Sequence, residues 1–200
     1  MKGILLLNGD PYSGKIDDTH AIVYCCDGAY RWAHGKVRID KNIGDFDSLN
    51  YIPEPPPEEI FPSEKDYTDG EIALFKLIDE GVDEIEIYGG GGGREDHFLG
   101  NLHLLRAAHT RGVKCTMVTD RSYIFPASGK VCLGDYMGKT FSVLPFGGSL
   151  HIMDFKGTKY AYPQKISYGE CRGISNIVTE NCAYVSIDGV ALIIVNRGEV

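Results

Sequence analysis

"YGGGGGREDHFLGNLHLL", Tyr88–Leu105, sets the architecture of the N-terminal part of this chain. Just upstream, "EIEIY" (Glu84–Tyr88) alternates apolar and polar residues at period two, the pattern of a strand. Downstream, Phe98, Leu99, Leu102 and Leu105 recur at helical spacing and Gly112 supplies a stop, so a helix is predicted from about Glu95 to Thr110 with those four residues inward. Five glycines, Gly89–Gly93, therefore join a strand to a helix. Three readings are open: a linker, a loop whose amides approach an anion, or a turn that presents Arg94 and Asp96. The tract is not a Walker loop, because no G-x-x-x-x-G-K-[ST] is present, and Arg94 breaks G-x-G-x-x-G.

The rest of this half repeats the alternation. "GILLL" precedes the turn signal Asn8-Gly9-Asp10, in which Asp10 reads as a turn residue. "AIVYCC" (Ala21–Cys26) ends in Asp27-Gly28, and a short helix is expected from Ala29 to His34. A short strand lies around Ile43, and the proline-rich run "YIPEPPPEEIFP" is a surface loop. Thr68 and Glu71 form a capping box for a helix with Ile72, Phe75 and Ile78 on one stripe, Leu74 and Leu77 beside it, and Gly81 as its end. "VKCTMVT" is one more strand. Strand and helix alternating with short connections imply a mostly parallel sheet flanked by helices, with ligands beyond the carboxyl ends of the strands.

Beyond Arg121 the helical period is lost. "SYIFP", "KVCL", "TFSVLPF", "SLHIMDF", "TKYAYP", "AYVSI" and "VALIIV" are short β-type runs separated by Gly-rich or polar turns. They predict an antiparallel β-sandwich or barrel of about six to eight strands. Asp188-Gly189 reads as the turn of a hairpin. The expected fold is thus α/β over residues 1–121, followed by an antiparallel β-sandwich domain over 122–200.

Composition narrows the functions. The chain has 200 residues, 43% hydrophobic, enough for a core, and its net charge of −8 lacks the basic footprint of a nucleic-acid binder. Cys25, Cys26 and Cys115 sit in apolar runs and read as reduced core residues; Cys132, Cys171 and Cys182 form no C-x-x-C pair with any other. The apolar stretch in "MKGILLLNGD" is too short for a signal peptide or a membrane span, so a cytoplasmic protein is expected.

Four segments could carry chemistry. In "GDFDS" (Gly44–Ser48), an extended backbone would aim Asp45 and Asp47 at one point and turn Phe46 into the core. Two converging carboxylates suit a divalent cation such as Mg²⁺, which takes one or two carboxylates plus substrate phosphates; alternatively both are turn residues. In "EKDYTDGE" (Glu64–Glu71), Lys65 and a helix N-terminus could face phosphate while Asp66 or Asp69 helps to hold metal, or Thr68, Asp69 and Glu71 simply cap the helix. In "GGGGGREDH", Arg94 offers forked donors to phosphate and Asp96 a further metal-directed carboxylate, or the segment is only a turn. In "GISN" (Gly173–Asn176), Ser175 and Asn176 are turn residues or hydrogen-bond partners of a polar heterocycle.

Taken in order, G-D-x-D-S, K-D-x-T-D, G-G-R-x-D-H and G-x-S-N resemble the motifs of the thiamine pyrophosphokinase family over nearly the whole chain. The resemblance implies transfer of the pyrophosphoryl group of ATP to the hydroxyl of thiamine, with Mg²⁺, by a homodimer whose active site lies between subunits. It implies that Asp45, Asp47, Asp69 and Asp96 serve metal and catalysis. It implies that Asp27, Gly28, Ser48, Lys65, Asp66, Thr68, Gly92, Gly93, Arg94 and His97 serve ATP and its phosphates, and that Ser175 and Asn176 hold thiamine. One departure stands at Asp27-Gly28-Ala29-Tyr30-Arg31, where the family usually has D-G-G-A-N. Two other functions fit the same residues: pyrophosphoryl transfer to another hydroxymethyl heterocycle such as a pterin, and a non-catalytic nucleotide- or thiamine-binding regulator.

Overall fold

A computed structural model describes residues 1–46, 49, 51–57 and 66–198; Asp47, Ser48 and Lys65 lie outside them. Within Met1–Asp120, which forms one unit, five short strands pair in parallel: β1 (Lys2–Leu6), β2 (Ala21–Cys26), β3 (Lys41–Ile43), β4 (Glu84–Tyr88) and β5 (Lys114–Val118). Their spatial order is β5-β4-β1-β2-β3. The chain moves outward from β1 to β3, then returns to place β4 on the other side of β1. That reversal puts a topological switch point between β1 and β4, where a parallel sheet opens a crevice at its carboxyl edge. The strands are nearly continuous apolar runs, and Ile4, Leu5, Leu6, Val23, Tyr24, Ile85, Ile87 and Met117 are fully buried, as a sheet covered on both faces requires.

Two of the three α-helices among the described residues cover this sheet in an orientation that their apolar stripes do not reveal. α1 is a single turn, Tyr30–Ala33, after a 3₁₀ turn at Asp27–Ala29. α2 (Asp69–Asp79) begins with the expected capping box: the Glu71 amide donates to Thr68 Oγ1 at 3.2 Å and the Thr68 amide donates to Glu71 Oε2 at 3.2 Å. Gly81, at φ +82°, follows its end. Its buried face is Gly70, Ala73, Leu74 and Leu77, whereas Ile72, Phe75 and Ile78 are only half-buried. The small residues go inward because they allow close approach: a Cβ on Gly70 would stand 3.2 Å from Leu104 and 3.3 Å from Leu7. Phe75 is left outside to carry the Arg111 guanidinium, 4.1 Å from its ring.

α3 (Glu95–Thr110) has the predicted bounds, but of the four residues expected inward only Leu105 is fully buried. Leu104, Leu105 and Ala108 are buried, Phe98 and Leu102 are half-buried, and Leu99 is 59% exposed. Length explains this. β4 and β5 have five residues each, about 17 Å, while the 16-residue helix spans about 24 Å. Its first turns therefore overhang the carboxyl edge of the sheet, where Leu99 finds little to cover among the described residues.

Arg121–Val200 forms the second unit. Its strands are β6 (Ser122–Cys132), β7 (Thr140–Pro145), β8 (Leu150–Lys156), β9 (Lys165–Ile166), β10 (Asn176–Ile177) and β11 (Tyr184–Asn196), all paired antiparallel. "SYIFP" and "KVCL" are one strand, not two. The Asp188-Gly189 hairpin is also absent: "AYVSI" and "VALIIV" are the two halves of β11. That strand pairs with β6 along its length, its register shifting between Ile187 and Ala191. On its other side Tyr184–Asp188 pairs with β8 and Ala191–Val195 with β7. A bulge thus absorbs the residues that a turn would have used, and Gly189 takes φ +107° there. "TKYAYP" forms no strand; only Thr158 bridges to Val178. The core of this unit is built by Phe141, Val143, Leu150, Ile166, Val185, Ile187 and Ile193.

Candidate functional site

At the β1/β4 switch point the glycine tract is wired to the chain after β1. The Leu7 amide donates to the Tyr88 carbonyl at 2.8 Å, Gly9 to Gly89 at 2.7 Å, and Asp10 to Gly91 at 2.7 Å. Gly89, at φ +68°, leaves no room for a side chain: a Cβ would overlap the Leu7 carbonyl oxygen and stand 2.9 Å from Trp32. That carbonyl also accepts the Trp32 indole N–H at 3.1 Å, and Asn101 on α3 donates to the Gly90 carbonyl at 2.9 Å. Gly92, at φ +64°, lies under the Asp10 carboxylate, which a Cβ would overlap. The tract is a fastened turn, not a linker.

It delivers Arg94 to the N-terminal edge of α3. Arg94 Nε and Nη2 donate to the two oxygens of Asp96 at 3.1 and 2.6 Å. The Asp96 Oδ1 also accepts the His97 amide at 2.9 Å. Arg94 holds the Asp96 carboxyl below the ordinary carboxylate range, and Asp96 raises the guanidinium in turn. Both side chains are exposed. Gly93 and His97 are exposed beside them.

The other strand ends converge by direct contact. Gly28 lies under the Asn8 carboxamide, which a Cβ there would overlap. Asp27 adopts φ +38°, and a Cβ on Gly44 would meet the Asp27 backbone and Cβ at 3.1–3.3 Å, so the turns after β2 and β3 are pressed together. Asp45 follows, half-buried beside an apolar hollow of about 420 Å³ lined by Phe46, Leu49, Tyr51 and Pro53. Phe46 is buried as expected, but its φ of +55° is left-handed. The extended backbone expected at Phe46 is therefore absent, and the expected convergence of Asp45 and Asp47 lies outside the described residues. The Cys26 thiol donates to the Asp69 carbonyl at 3.6 Å, which ties the start of α2 to the end of β2. Thr68 spends its hydroxyl on the helix cap, and Asp66 is exposed.

The carboxyl edge of the sheet thus carries Asp10, Asp27, Asp45 and Asp69, with Arg94 and Asp96 on the neighbouring turn. These are oxygen donors, the chemistry of a hard dication. Among the described residues no three acidic, Cys or His groups stand close enough to chelate an ion by themselves. Such an edge fits Mg²⁺, which keeps waters and takes one or two carboxylates plus phosphate oxygens. Asn8, Asp10, Trp32 and Asn101 escaped sequence reasoning. The signal for the first two was available: Asn8-Gly9-Asp10 follows the first buried strand, as Asp27 follows the second.

In the second unit Ser175, at φ +59°, is exposed and its amide donates to Ser142 Oγ at 3.1 Å. Asn176 is 3% exposed. Its Oδ1 accepts the Tyr160 and Ile177 amides, both at 2.9 Å, and its Nδ2 donates to the Tyr160 carbonyl at 2.8 Å. The carboxamide thereby fastens the 158–163 segment as one wall of a cleft of about 200 Å³, with Gly173, Ile174 and Ser175 opposite.

The family model described as thiamin pyrophosphokinase, catalytic domain, matches residues 14–117. That described as thiamin pyrophosphokinase, vitamin B1 binding domain, matches residues 129–192. A thiamine pyrophosphokinase of Bacillus subtilis (strain 168) is 32% identical over 143 residues, 67% of each chain. The crystal structure of thiamine pyrophosphokinase from Bacillus subtilis superposes with a TM-score of 0.81 at 25% identity, covering 100% of this chain and 99% of that one. Thiamin pyrophosphokinase from Candida albicans shares the fold, with a TM-score of 0.76 at 17% identity over 98% of this chain and 89% of that one. The chain belongs to the thiamin pyrophosphokinase family.

Proposed function

We propose that the chain is an ATP:thiamine diphosphotransferase. The observation that carries this reading is the convergence of the turns after β1–β4 and the start of α2 on one acidic edge with a forked cation beside it, in a chain of this family. The thiamine hydroxyl oxygen attacks the β-phosphorus of ATP, the bond from that phosphorus to the bridging α,β-oxygen breaks, and AMP leaves as thiamine diphosphate forms. Such a transfer needs positioning and charge neutralisation above all.

Each part of the edge has a task in this reading. Arg94 turns its donors to phosphate oxygens, and Gly92 and Gly93, which carry no side chains, let the phosphates approach without steric hindrance. Asp45, Asp69 and Asp96 would hold Mg²⁺, and Asp27 would serve the ATP phosphates. When bound, Mg²⁺ supplies neutralisation of the charge that develops on the transferred group. The hollow beside Asp45 gives apolar surface for the nucleotide base. Asp47, Ser48 and Lys65 retain the metal and phosphate roles that the family motifs imply. The cleft at Ser175 takes thiamine, with Asn176 shaping its wall.

The reading includes a homodimer in which each site combines the first unit of one subunit with the second of its partner. It also includes a cytoplasmic location. Six free cysteines suit a reducing compartment, and no helix among the described residues is long and apolar enough to cross a membrane. Incubation with ATP, Mg²⁺ and either thiamine or hydroxymethylpterin tests the function. AMP and thiamine diphosphate support it. AMP with the pterin alone moves the substrate to that class, and no AMP with either makes the chain a binding protein.

A further inference from the structure

One wall of the hollow beside Asp45 is fastened at two neighbouring residues that do not themselves line it. Tyr51, Ile52 and Pro53 line the hollow, as do Pro56 and Pro57, and Glu54 and Pro55 stand between them in the chain. The Glu54 amide donates to the Tyr30 hydroxyl at 3.0 Å, and that hydroxyl donates to the Glu54 carbonyl at 3.3 Å. Asn42 Nδ2, on β3, donates to the Pro55 carbonyl at 2.7 Å. The Tyr30 ring also packs edge-on against Tyr51, with centroids 6.1 Å apart. Tyr30 and Asn42 are both buried, at 4% and 1% exposure.

Two such anchors go far in this loop. Pro53, Pro55, Pro56 and Pro57 already fix their own φ angles, so holding the middle residues sets the course of the chain on either side. The anchors come from elements that also shape the carboxyl edge of the sheet. Tyr30 opens α1 directly after the turn that carries Asp27, and Asn42 lies on β3 just before Gly44 and Asp45. Stability gives Asn42 little reason to be there. Its Oδ1 is enclosed and makes no hydrogen bond to any described residue, and a Leu would fill a similar space without that unmet acceptor. Tyr30 falls in the stretch Ala29-Tyr30-Arg31, where this chain departs from the D-G-G-A-N of its family.

We infer that Tyr30 and Asn42 are positioning residues for the nucleotide, which hold Glu54 and Pro55 so that the 51–57 wall stands ready for the flat base of ATP. The inference rests on the ATP reading above and adds which residues keep the base pocket in shape. The hollow, about 420 Å³, has the size of a small-molecule site. A wall ordered before binding removes the entropy loss of ordering it during binding. The anchors therefore act on affinity for the base and leave the phosphate side alone.

Calorimetry on the full chain with Mg²⁺, titrating ATP and separately inorganic triphosphate, distinguishes base from phosphate. Tyr30→Phe and Asn42→Leu are each expected to weaken ATP binding about tenfold and to leave triphosphate binding unchanged. The retained triphosphate binding shows that each variant is folded at the edge of the sheet. Unchanged ATP affinity in either variant overturns the inference. Equal losses for ATP and triphosphate also overturn it, because the anchors then serve the general fold and not the base. If the wild-type protein does not bind ATP, the ATP reading itself fails and this inference with it. ATP binding and AMP release by wild type, with either variant indifferent to ATP, isolate failure of the inference alone.

Discussion

Arg94 and Asp96 grip each other through two parallel hydrogen bonds, at 3.1 and 2.6 Å, on the exposed turn that opens α3. The charge that would meet phosphate and the charge that would meet metal are thus stored as one pair. Both are solvent-exposed, so in the proposed function the pair would be readily exchanged for substrate contacts. Only the planar fork of Arg can hold both carboxylate oxygens and then both oxygens of a phosphate. Arg94→Lys should therefore lower kcat/KM for ATP by roughly tenfold or more while leaving thermal stability unchanged. Steady-state kinetics beside a melting curve checks this.

The same pair sets a pH behaviour. Asp96 is held below its ordinary pKa by the Arg94 hydrogen bonds first, then by the His97 amide and the Arg94 charge, against an opposing effect of desolvation. A depressed carboxylate favours the folded pair above its unfolded pKa and loses that contribution as pH falls through the lower, folded value. Carboxyl-carbon NMR of the ligand-free protein should show Asp96 titrating below the usual carboxylate range. In Arg94→Ala the midpoint should move back up. Unchanged midpoints would separate the two side chains in solution.

The five glycines should not respond alike. Gly89→Ala forces a Cβ into the Leu7 carbonyl at φ +68°, a backbone collision that no rotamer relieves. Gly90→Ala meets side chains alone, the end of Met117 at 2.9 Å, which can move, and Ile87 Cγ2 at 3.2 Å. Urea unfolding should find Gly89→Ala destabilised by about 2 kcal/mol or more and Gly90→Ala by less than half of that.

Metal removal should abolish turnover. With EDTA the acidic edge repels ATP, so AMP release should stop and return on adding Mg²⁺. Asp45→Asn should cost at least about tenfold in kcat. Asp17→Asn, a change at an exposed turn residue that accepts the Thr19 amide, should cost nothing measurable. Equal losses in both variants would remove Asp45 from the site.

What sequence alone could reveal follows from how local each signal is. The capping box at Thr68 and Glu71, the bounds of α3 and the five parallel strands depend on neighbours a few residues away. The buried face of α2 depends instead on Gly70 and Ala73 reaching Leu7 and Leu104, partners far along the chain. Leu99 lies outside because the helix outruns the strands, a fact about two elements at once. In the site, Asp27 was legible because it follows a strand, and Asp10 satisfies the same rule. The pairing of Arg94 with Asp96 and the bonds of Asn176 to Tyr160 required side-chain directions, which no motif encodes.

β11 belongs to two strand partnerships on one side while β6 runs unbroken on the other. A hairpin tip at Asp188-Gly189 would have been a natural place to open the chain, insert a tag or join new termini. Here the same dipeptide is the hinge at which one strand passes from β8 to β7, and cutting it would release both halves of the unit's only common thread among the described residues. Insertions should be accepted at Gly147-Gly148, an exposed turn between β7 and β8, and refused at Asp188-Gly189. The second unit is in this sense indivisible, and its tolerance of new chain ends is the reverse of what its turn residues advertise.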